Sequence, residues 1–532
     1  MKVEEVNAVN VVMKWIKLLG ATQLHQLKIN VFIILYAMFA VVANAQVQLD
    51  CAKVVYGVPG QRFVQKIRTT DARAQVAVEG LPEGLLWNAG RQMVDGVVAQ
   101  EGEYHYYVRM NGAVDTITLH VKNDLPQKTP FMGLLTWNVF EGDISDTLVR
   151  QVADAMVDLG LAQVGYRYLC LDDLWAEAER ENRHLVWNRQ KFPNGPQAMV
   201  DYVHAKGLKL GIYSDAGSRT CSGGQPGSLG FEAEDAGDFV SAWGMDLLKY
   251  DFCNNDRTDR AGAFDAYSAM SAQLAKSLGA AGKGDFVYYL CEWGGREPWK
   301  WGAEAGGTCW RATADTRDCW ENPTYKGGVL DNIKIMTKIW QYNGINRFND
   351  ADMMMCGLHG KGKSSNAGTD GQGMSQSEYR TQMVLWCMWG SPLTLCFDVT
   401  TLYDGQSRID AGLYNPYYKS DLALITNADL IAIDQDPLAQ AAEPLVFDDD
   451  WLVLMKDLDG GDVAVSATNM HDEPALLELS LKDIPTLDPN KHYMSTELLS
   501  GDVENKLSPA RDRFVVMLPA HGTMVWRFSE QK

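Results

Sequence analysis

The chain has 532 residues, 46% of them hydrophobic, with 48 lysines and arginines against 68 aspartates and glutamates for a net charge of −20. That length exceeds one ordinary domain and points to about two to four, while the apolar and aromatic content excludes a disordered chain. The acidic balance is spread along the chain without an acidic tail, which argues against a nucleic-acid partner and fits a neutral or cationic ligand.

In chain order, the first 45 residues stand apart. Lys28 precedes the apolar run Val31–Val42, and Ala43-Asn44-Ala45 follows it. This is the basic, apolar and small-residue order of a signal peptide cut before Gln46, with Met13 as a candidate start. The run is too short to favour a membrane span, and no cysteine follows the cut to carry a lipid. Export to the periplasm or the medium is expected, which permits disulfides. Ten cysteines in a chain of this size do not make a disulfide scaffold, and Cys170, Cys387 and Cys396 sit in apolar runs as expected for buried thiols. The nine histidines show no H-E-x-x-H or comparable spacing, so no metal and no cofactor is expected.

Residues 46–124 read as short β runs broken by Gly and Pro, such as "KVVYGVPGQRFVQKI" and "GEYHYYVRMNG", the texture of a small Ig-like β-sandwich. "DLPQKTP" then serves as a linker. From residue 130 to 438 strands alternate with helical stretches: "FMGLLTW", "YRYLCLDD", "LKLGIYSD", "DLLKYDF", "DFVYYLCEW", "CWRATAD", "INRFNDADM" and "SPLTLCFD". Eight strand candidates over that span predict a central (β/α)8 TIM barrel, with a doubly wound parallel sheet as the competing arrangement. Residues 440–532 return to β texture and predict a C-terminal antiparallel β-sandwich. Neither flanking unit shows a definite aromatic platform for glycan binding.

In a barrel, active-site residues gather at the C-terminal ends of the strands. Here those ends carry Asp172 and Asp173, Tyr213 to Asp215, Lys249 and Asp251, Cys291 to Trp293, Arg311 and Asp315, and Asp350 and Asp352. A single Asp after a strand is usually a helix N-cap; six of eight strands ending in polar groups exceeds what capping needs. In "LLKYDF" the period of two turns Lys249 and Asp251 to the same face. Carboxylates and a lysine hydrogen-bond sugar hydroxyls directionally, and aromatic faces such as Trp137 and Trp293 cover sugar C–H faces. There is no phosphate loop or dinucleotide fingerprint. The chemistry therefore points to a paired-carboxylate glycosidase acting on a carbohydrate.

On these residues, the run from Phe131 to about Leu438 resembles glycoside hydrolase family 27, whose best-known members are α-galactosidases. The blocks that carry the resemblance are "MGLLTWNVF", "GYRYLCLDDLW", "KFPNGPQAMVDYVHAKGLKLGIYSDAG", "TCSGGQPGSLGFEAEDAGDFVSAWGMDLLKYDFC", "CEWG", "WRATADTRDCW", "NDADM" and "IAIDQDPLA". The resemblance implies a retaining α-galactosidase with Asp251 as nucleophile and Asp315 as general acid/base. It implies that Asp172 and Asp173 hold the 4- and 6-hydroxyls, Lys249 binds hydroxyls beside the nucleophile, Trp137 and Tyr213 form pocket walls, and Arg311 lies near the 2-hydroxyl. Cys291, Glu292 and Trp293 fall in the loop that senses the 2-substituent, and Asp352 and Met353 form the remaining wall. Cys221 and Cys253 match a disulfide beside the nucleophile. Lys249 is expected to lower the pKa of Asp251 and keep it ionised, and Asp315 to be raised so that it holds a proton; a retaining mechanism needs the two carboxyls about 5–5.5 Å apart.

The sequence also departs from the family pattern. Leu134 replaces the first tryptophan of M-G-W-N-S-W-N, Leu174 stands where a cysteine commonly follows the Asp pair, and Ala351 replaces a proline. Cys309 and Cys319 flank the acid/base block, and Cys309 is a candidate partner for Cys291. Rival activities within the family are β-L-arabinopyranosidase, α-N-acetylgalactosaminidase and isomaltodextranase. The bulky "CEW" disfavours a 2-N-acetyl group, and the intact Asp172-Asp173 pair favours galactose over a sugar without an exocyclic carbon. A glycan-binding protein that had lost catalysis would be expected to lack one of the two carboxylates; both are present.

Overall fold

The computed structural model describes residues 47–409 and 412–531; the expected signal peptide lies outside the described residues. Eight parallel strands form the centre: β1 Met132–Leu135, β2 Tyr168–Cys170, β3 Lys209–Asp215, β4 Leu247–Asp251, β5 Val287–Cys291, β6 Cys309–Arg311, β7 Phe348–Asp350 and β8 Leu393–Leu395. They pair in the order β7-β6-β5-β4-β3-β2-β1-β8. A parallel bridge between Met354 and Leu395, with the Met354 N–H donating to the Thr394 carbonyl at 2.8 Å, closes the ring just past β7. This is the expected TIM-type barrel, and the doubly wound alternative is excluded by the closure.

The strands are apolar and buried on both sides, as a parallel sheet covered by helices requires; all five residues of β4 and of β5 are buried. Helix starts follow local capping chemistry. Ser145 accepts from the Leu148 N–H ahead of helix Asp146–Asp158, Asp259 accepts from Gly262 ahead of Arg260–Ala281, and Ser375 and Glu378 form a capping box for Gln376–Trp389. The strict alternation fails once: only a 3₁₀ turn, Pro298–Lys300, lies between β5 and β6.

Ahead of the barrel, a sheet of strands Val54–Gly57, Ala113–Val121, Gly102–Met110 and Val76–Glu79 faces one of Arg62–Lys66, Met93–Val97 and Leu85–Asn88. After the barrel, a six-stranded antiparallel sheet from Glu443 to Gln531 packs with the hairpin-like pair Ala475–Ser480 and Arg513–Leu518 around its own apolar core, which includes Leu477, Phe514 and Trp526. The junctions are polar and buried. Lys66 meets Glu443 at 3.1 Å and Asp457 at 3.5 Å, and Arg91 meets Asp457 at 2.6 Å. On the other side, Lys456 sends its ammonium into the barrel and donates to the carbonyls of Cys387 at 3.2 Å and Ile433 at 2.7 Å. Replacing Lys456 with Met removes the donor from two buried carbonyls and the compensating charge near buried Asp434. Such a loss costs about 2–4 kcal/mol. Denaturant titration of Lys456→Met is expected to show a clearly lower midpoint, and an unchanged midpoint would refute this account of the junction.

Candidate active site

The barrel register explains how the side chains converge. Across neighbouring strands Lys249 pairs with Tyr213 on one side and Tyr289 on the other, and Asp251 pairs with Asp215 and Cys291. Residues at one level of adjacent parallel strands point to the same side of the sheet. Period-2 alternation therefore sends Lys249, Asp251 and Cys291 together into the mouth. A cavity of about 330 Å³ opens there, lined by Trp137, Asp172, Asp173, Tyr213, Cys221, Ser222, Lys249, Asp251, Cys253, Cys291, Trp293, Arg311, Asp315 and Met353. That volume is the size of a small-ligand site.

Two expected lining residues are not in it. Glu292, the next residue after inward-facing Cys291, is turned away and fully buried. It accepts from the Arg296 backbone N–H at 3.0 Å and from its guanidinium at 3.1 Å. Burial pushes its pKa up to about 7 against the pull of Arg296. Asp352 sits behind the wall, where it pairs with Arg311 at 2.9 Å and accepts from the Thr316 N–H at 2.6 Å; Met353 alone of the two reaches the cavity. Ser222 and the disulfide sulfurs were not foreseen as lining.

The loops that present these groups are fixed from below. The Asp172 backbone N–H donates to the Thr136 hydroxyl at 3.0 Å, and Asp173 accepts from the Leu174 N–H at 2.7 Å and the Ser222 N–H at 3.0 Å. Two residues on, Trp175 is fully buried, donates to the Tyr213 carbonyl at 2.8 Å, and packs its ring 5.4 Å from Trp187 and 5.7 Å from Trp243. Leu174, Trp293 and Asp352 all have left-handed backbone, with φ of 71°, 58° and 78°. Strain of this kind costs on the order of 1–3 kcal/mol per residue and persists where surrounding structure enforces it.

The disulfide Cys221–Cys253 is formed. Cys291 and Cys309 are both buried free thiols, so the candidate pairing between them is not made. Beneath the disulfide, Asp215 accepts from the Gly217 N–H at 2.6 Å and the Cys253 N–H at 2.9 Å. Gly217 permits that clasp: a Cβ there would lie 2.0 Å from the Cys253 carbonyl oxygen. Asp215, Cys221, Asp251 and Cys253 place ligand-type atoms within 4.8 Å of one another, but the two sulfurs are bonded to each other, which leaves two carboxylates and no thiolate donor for a metal.

The electrostatics depart from the sequence expectation. Lys249 and Asp172 form a buried ion pair at 2.7 Å, so the ammonium is committed to Asp172 first. Asp251 is stabilised by the Tyr213 O–H at 3.0 Å and the Phe252 N–H at 3.0 Å. Burial outweighs these and Lys249, and its pKa is pushed up to about 7. Asp315 is the reverse. Its crowded setting acts to raise its pKa, yet Arg311, which donates to it at 3.1 Å, and then Arg317 hold it below the ordinary carboxylate range. Its side chain still reaches water through the mouth, at 39% exposure. Asp215 is raised to about 8 by burial and by the charge of Asp251. Of the two acids, Asp251 is thus the one pushed toward the protonated form and Asp315 the one held toward the ionised form.

Residues 129–436 match the family model for alpha galactosidase A, and residues 448–528 match that for the alpha-galactosidase C-terminal beta sandwich domain. Alpha-galactosidase A of Cellvibrio japonicus (strain Ueda107) is 32% identical, over 76% of this chain and 92% of its own. The alpha-galactosidase of Cyamopsis tetragonoloba is 35% identical, over 75% and 88%. Alpha-galactosidase I from Mortierella vinacea superposes with a TM-score of 0.66 at 29% identity, covering 77% of this chain and 99% of that one. A Bacteroides fragilis NCTC 9343 crystal structure reaches 0.68 at 32% identity and covers 91% and 98%, a share too large to leave out the N-terminal sheets. With a family match spanning more than half of its length and ending in the matching C-terminal sandwich, the chain belongs to the α-galactosidase (melibiase) family, glycoside hydrolase family 27.

Proposed function

We propose that the enzyme removes terminal α-linked galactose with retention of configuration, using Asp251 as nucleophile and Asp315 as acid/base. The observation that carries this reading is that two carboxylates from separate strands line one cavity whose other polar groups are an ion-paired Lys249–Asp172, Asp173 and Arg311. Asp251 attacks the anomeric carbon as the bond to the leaving oxygen breaks, and that oxygen takes the proton of Asp315. Water then attacks the same carbon of the β-linked glycosyl-enzyme, gives its proton to Asp315 and frees Asp251. Asp172, Asp173 and Lys249 are the hydroxyl-binding floor, Trp137 and Tyr213 are walls, and Cys291, Trp293 and Met353 limit bulk at the 2- and outer positions. The intact Asp pair supports galactose over a pentopyranose. The Cys221–Cys253 disulfide supports export to an oxidising compartment.

Asp251→Ala is expected to lower kcat by about 10⁴ or more. Azide should restore turnover of an activated α-galactoside and yield the β-azide, since it enters from the side the carboxylate vacates. NMR of the wild-type reaction should show α-galactose forming first. Release of the β-anomer first would sink the double displacement, and unchanged kcat in Asp251→Ala would sink the nucleophile.

The pH profile of kcat/KM is expected to be bell-shaped. Its alkaline limb should fall near pH 7, set by Asp251, and its acid limb below the ordinary carboxylate range, set by Asp315. The Tyr213 O–H favours the ionised form of Asp251. Tyr213→Phe therefore raises that pKa, and the alkaline limb should move to higher pH. A limb that stayed in place or moved down would contradict this arrangement.

A further inference from the structure

We propose that Arg317 and Tyr325 form the site for the leaving-group sugar, with the tyrosine ring packing against that sugar's C–H face and the arginine donating to its hydroxyls. The proposal rests on the assignment of Asp315 as the acid. Asp251 is 5% exposed, whereas the Asp315 side chain is 39% exposed at the mouth. The oxygen that Asp315 protonates therefore leads outward, and the second sugar lies beside the segment that follows this acid.

Arg317 belongs to that segment. Its Nη1 donates to the Ser364 carbonyl at 2.5 Å, its Nη2 lies 3.8 Å from Asp315 Oδ2, and its buried Nε meets no acceptor. The guanidinium is thus anchored at Nη1, and it is Nη2, next to the acid, that is placed to donate. The Tyr325 ring lies on its other side, 5.7 Å from centroid to guanidinium carbon. Tyr325 is 54% exposed yet held in place. Its N–H donates to Asn322 Oδ1 at 3.0 Å, and its ring edge lies against Gly368, where a Cβ would come within 2.6 Å of the ring. Gly368 has a φ of +74°, so both its conformation and its lack of a side chain are used. An exposed tyrosine alone is ordinary surface. A ring fixed between a glycine and a guanidinium that itself adjoins the acid is a preorganised apolar face flanked by a polar donor, which suits a sugar ring.

The test compares leaving groups. In α-galactosyl fluoride the leaving group is one atom and cannot reach Tyr325; melibiose and raffinose present a sugar there. Tyr325→Ala is expected to lower kcat/KM on both oligosaccharides by about 10-fold, at least about 5-fold more than on the fluoride. Tyr325→Phe, which keeps the ring, should restore most of the oligosaccharide rate. Equal losses on both kinds of leaving group, or no loss on the oligosaccharides, would overturn the proposal. If Tyr325→Ala does not fold, Tyr325→Leu, which removes the flat ring but keeps an apolar side chain, decides by the same ratio. Absence of wild-type turnover on every α-galactoside would instead overturn the functional reading beneath it.

Discussion

The mouth of the barrel holds more carboxylates than cations, and the way the two inner cations are committed sets the state of the acids. Lys249 neutralises Asp172, and Arg311 is held between Asp352 and Asp315. Asp251 therefore faces its burial with a tyrosine hydroxyl and a backbone N–H in place of a direct ion pair. Two nearby acids with unequal counter-charges cannot titrate independently; they divide a proton, which the raised Asp251 binds more strongly than the lowered Asp315. Catalysis needs it on the outer one. A bound sugar favours that transfer on physical grounds: it closes the mouth, strips water from Asp315, and supplies hydroxyl donors to the floor. The bell-shaped profile follows whichever acid holds the proton at rest, because only the single-proton state reacts.

This electrostatic arrangement survives only if the groups are held within tenths of an ångström, and the loops show how. Left-handed residues occur at Leu174, Trp293 and Asp352, each directly after or among site residues. Their strain is balanced by packing that cannot yield: Trp175 locked among Trp187 and Trp243, the Cys221–Cys253 bond, and Asp215 clasping two backbone N–H groups beside the strand that carries Asp251. The barrel supplies level and direction, while the buried second layer supplies precision.

What was legible in the sequence is what depends on period and order. Alternation in "LLKYDF" placed Lys249 and Asp251 on one face, and eight strand-like runs gave the barrel. The same alternation, applied to "CEW", separates inward Cys291 from outward Glu292, a signal that was available and was not used. Other features depend on partners far away in the chain. Arg311 finds Asp352 across 41 positions and Asp173 finds the Ser222 N–H across 49. No local pattern announces such meetings, and so the rear position of Asp352, the lining by Ser222 and the roles of Arg317 and Tyr325 were not readable. The pKa expectations went astray because the outcome depends on burial and on distant partners: Lys249 does pull the Asp251 pKa down, but burial outweighs it, and Arg311 and Arg317 hold Asp315 low. The missing helix between β5 and β6 leaves no trace in composition, since "WKWGAEAGG" fits a turn as well as a short helix.

The N-terminal sheets bear on the site through the floor of the barrel, whereas the C-terminal sheet also reaches the mouth side, where His521 stacks on Trp320 at 4.1 Å and bonds Glu378 at 2.7 Å. Arg347 immediately precedes β7 and donates to the carbonyls of Val54 and Trp299; Gln341 and Tyr342, also upstream of β7, bond Asp50 at 3.2 and 2.9 Å. Gln127 joins Thr308 at 2.7 Å just ahead of β6, so the linker crosses the same end. These are the N-terminal ends of the strands, the face that in barrels serves stability. The N-terminal sheets are in turn tied to the C-terminal sheet through Lys66, Arg91 and Asp457. The barrel is thus gripped from below by the N-terminal sheets and along one helix by the C-terminal sheet, and the two modules also grip each other. A strained, crowded ring of charge at one end of a barrel is maintained more readily when the other end cannot breathe, and the buried ion pairs at these junctions, which are strongly unfavourable to break singly, provide that restraint.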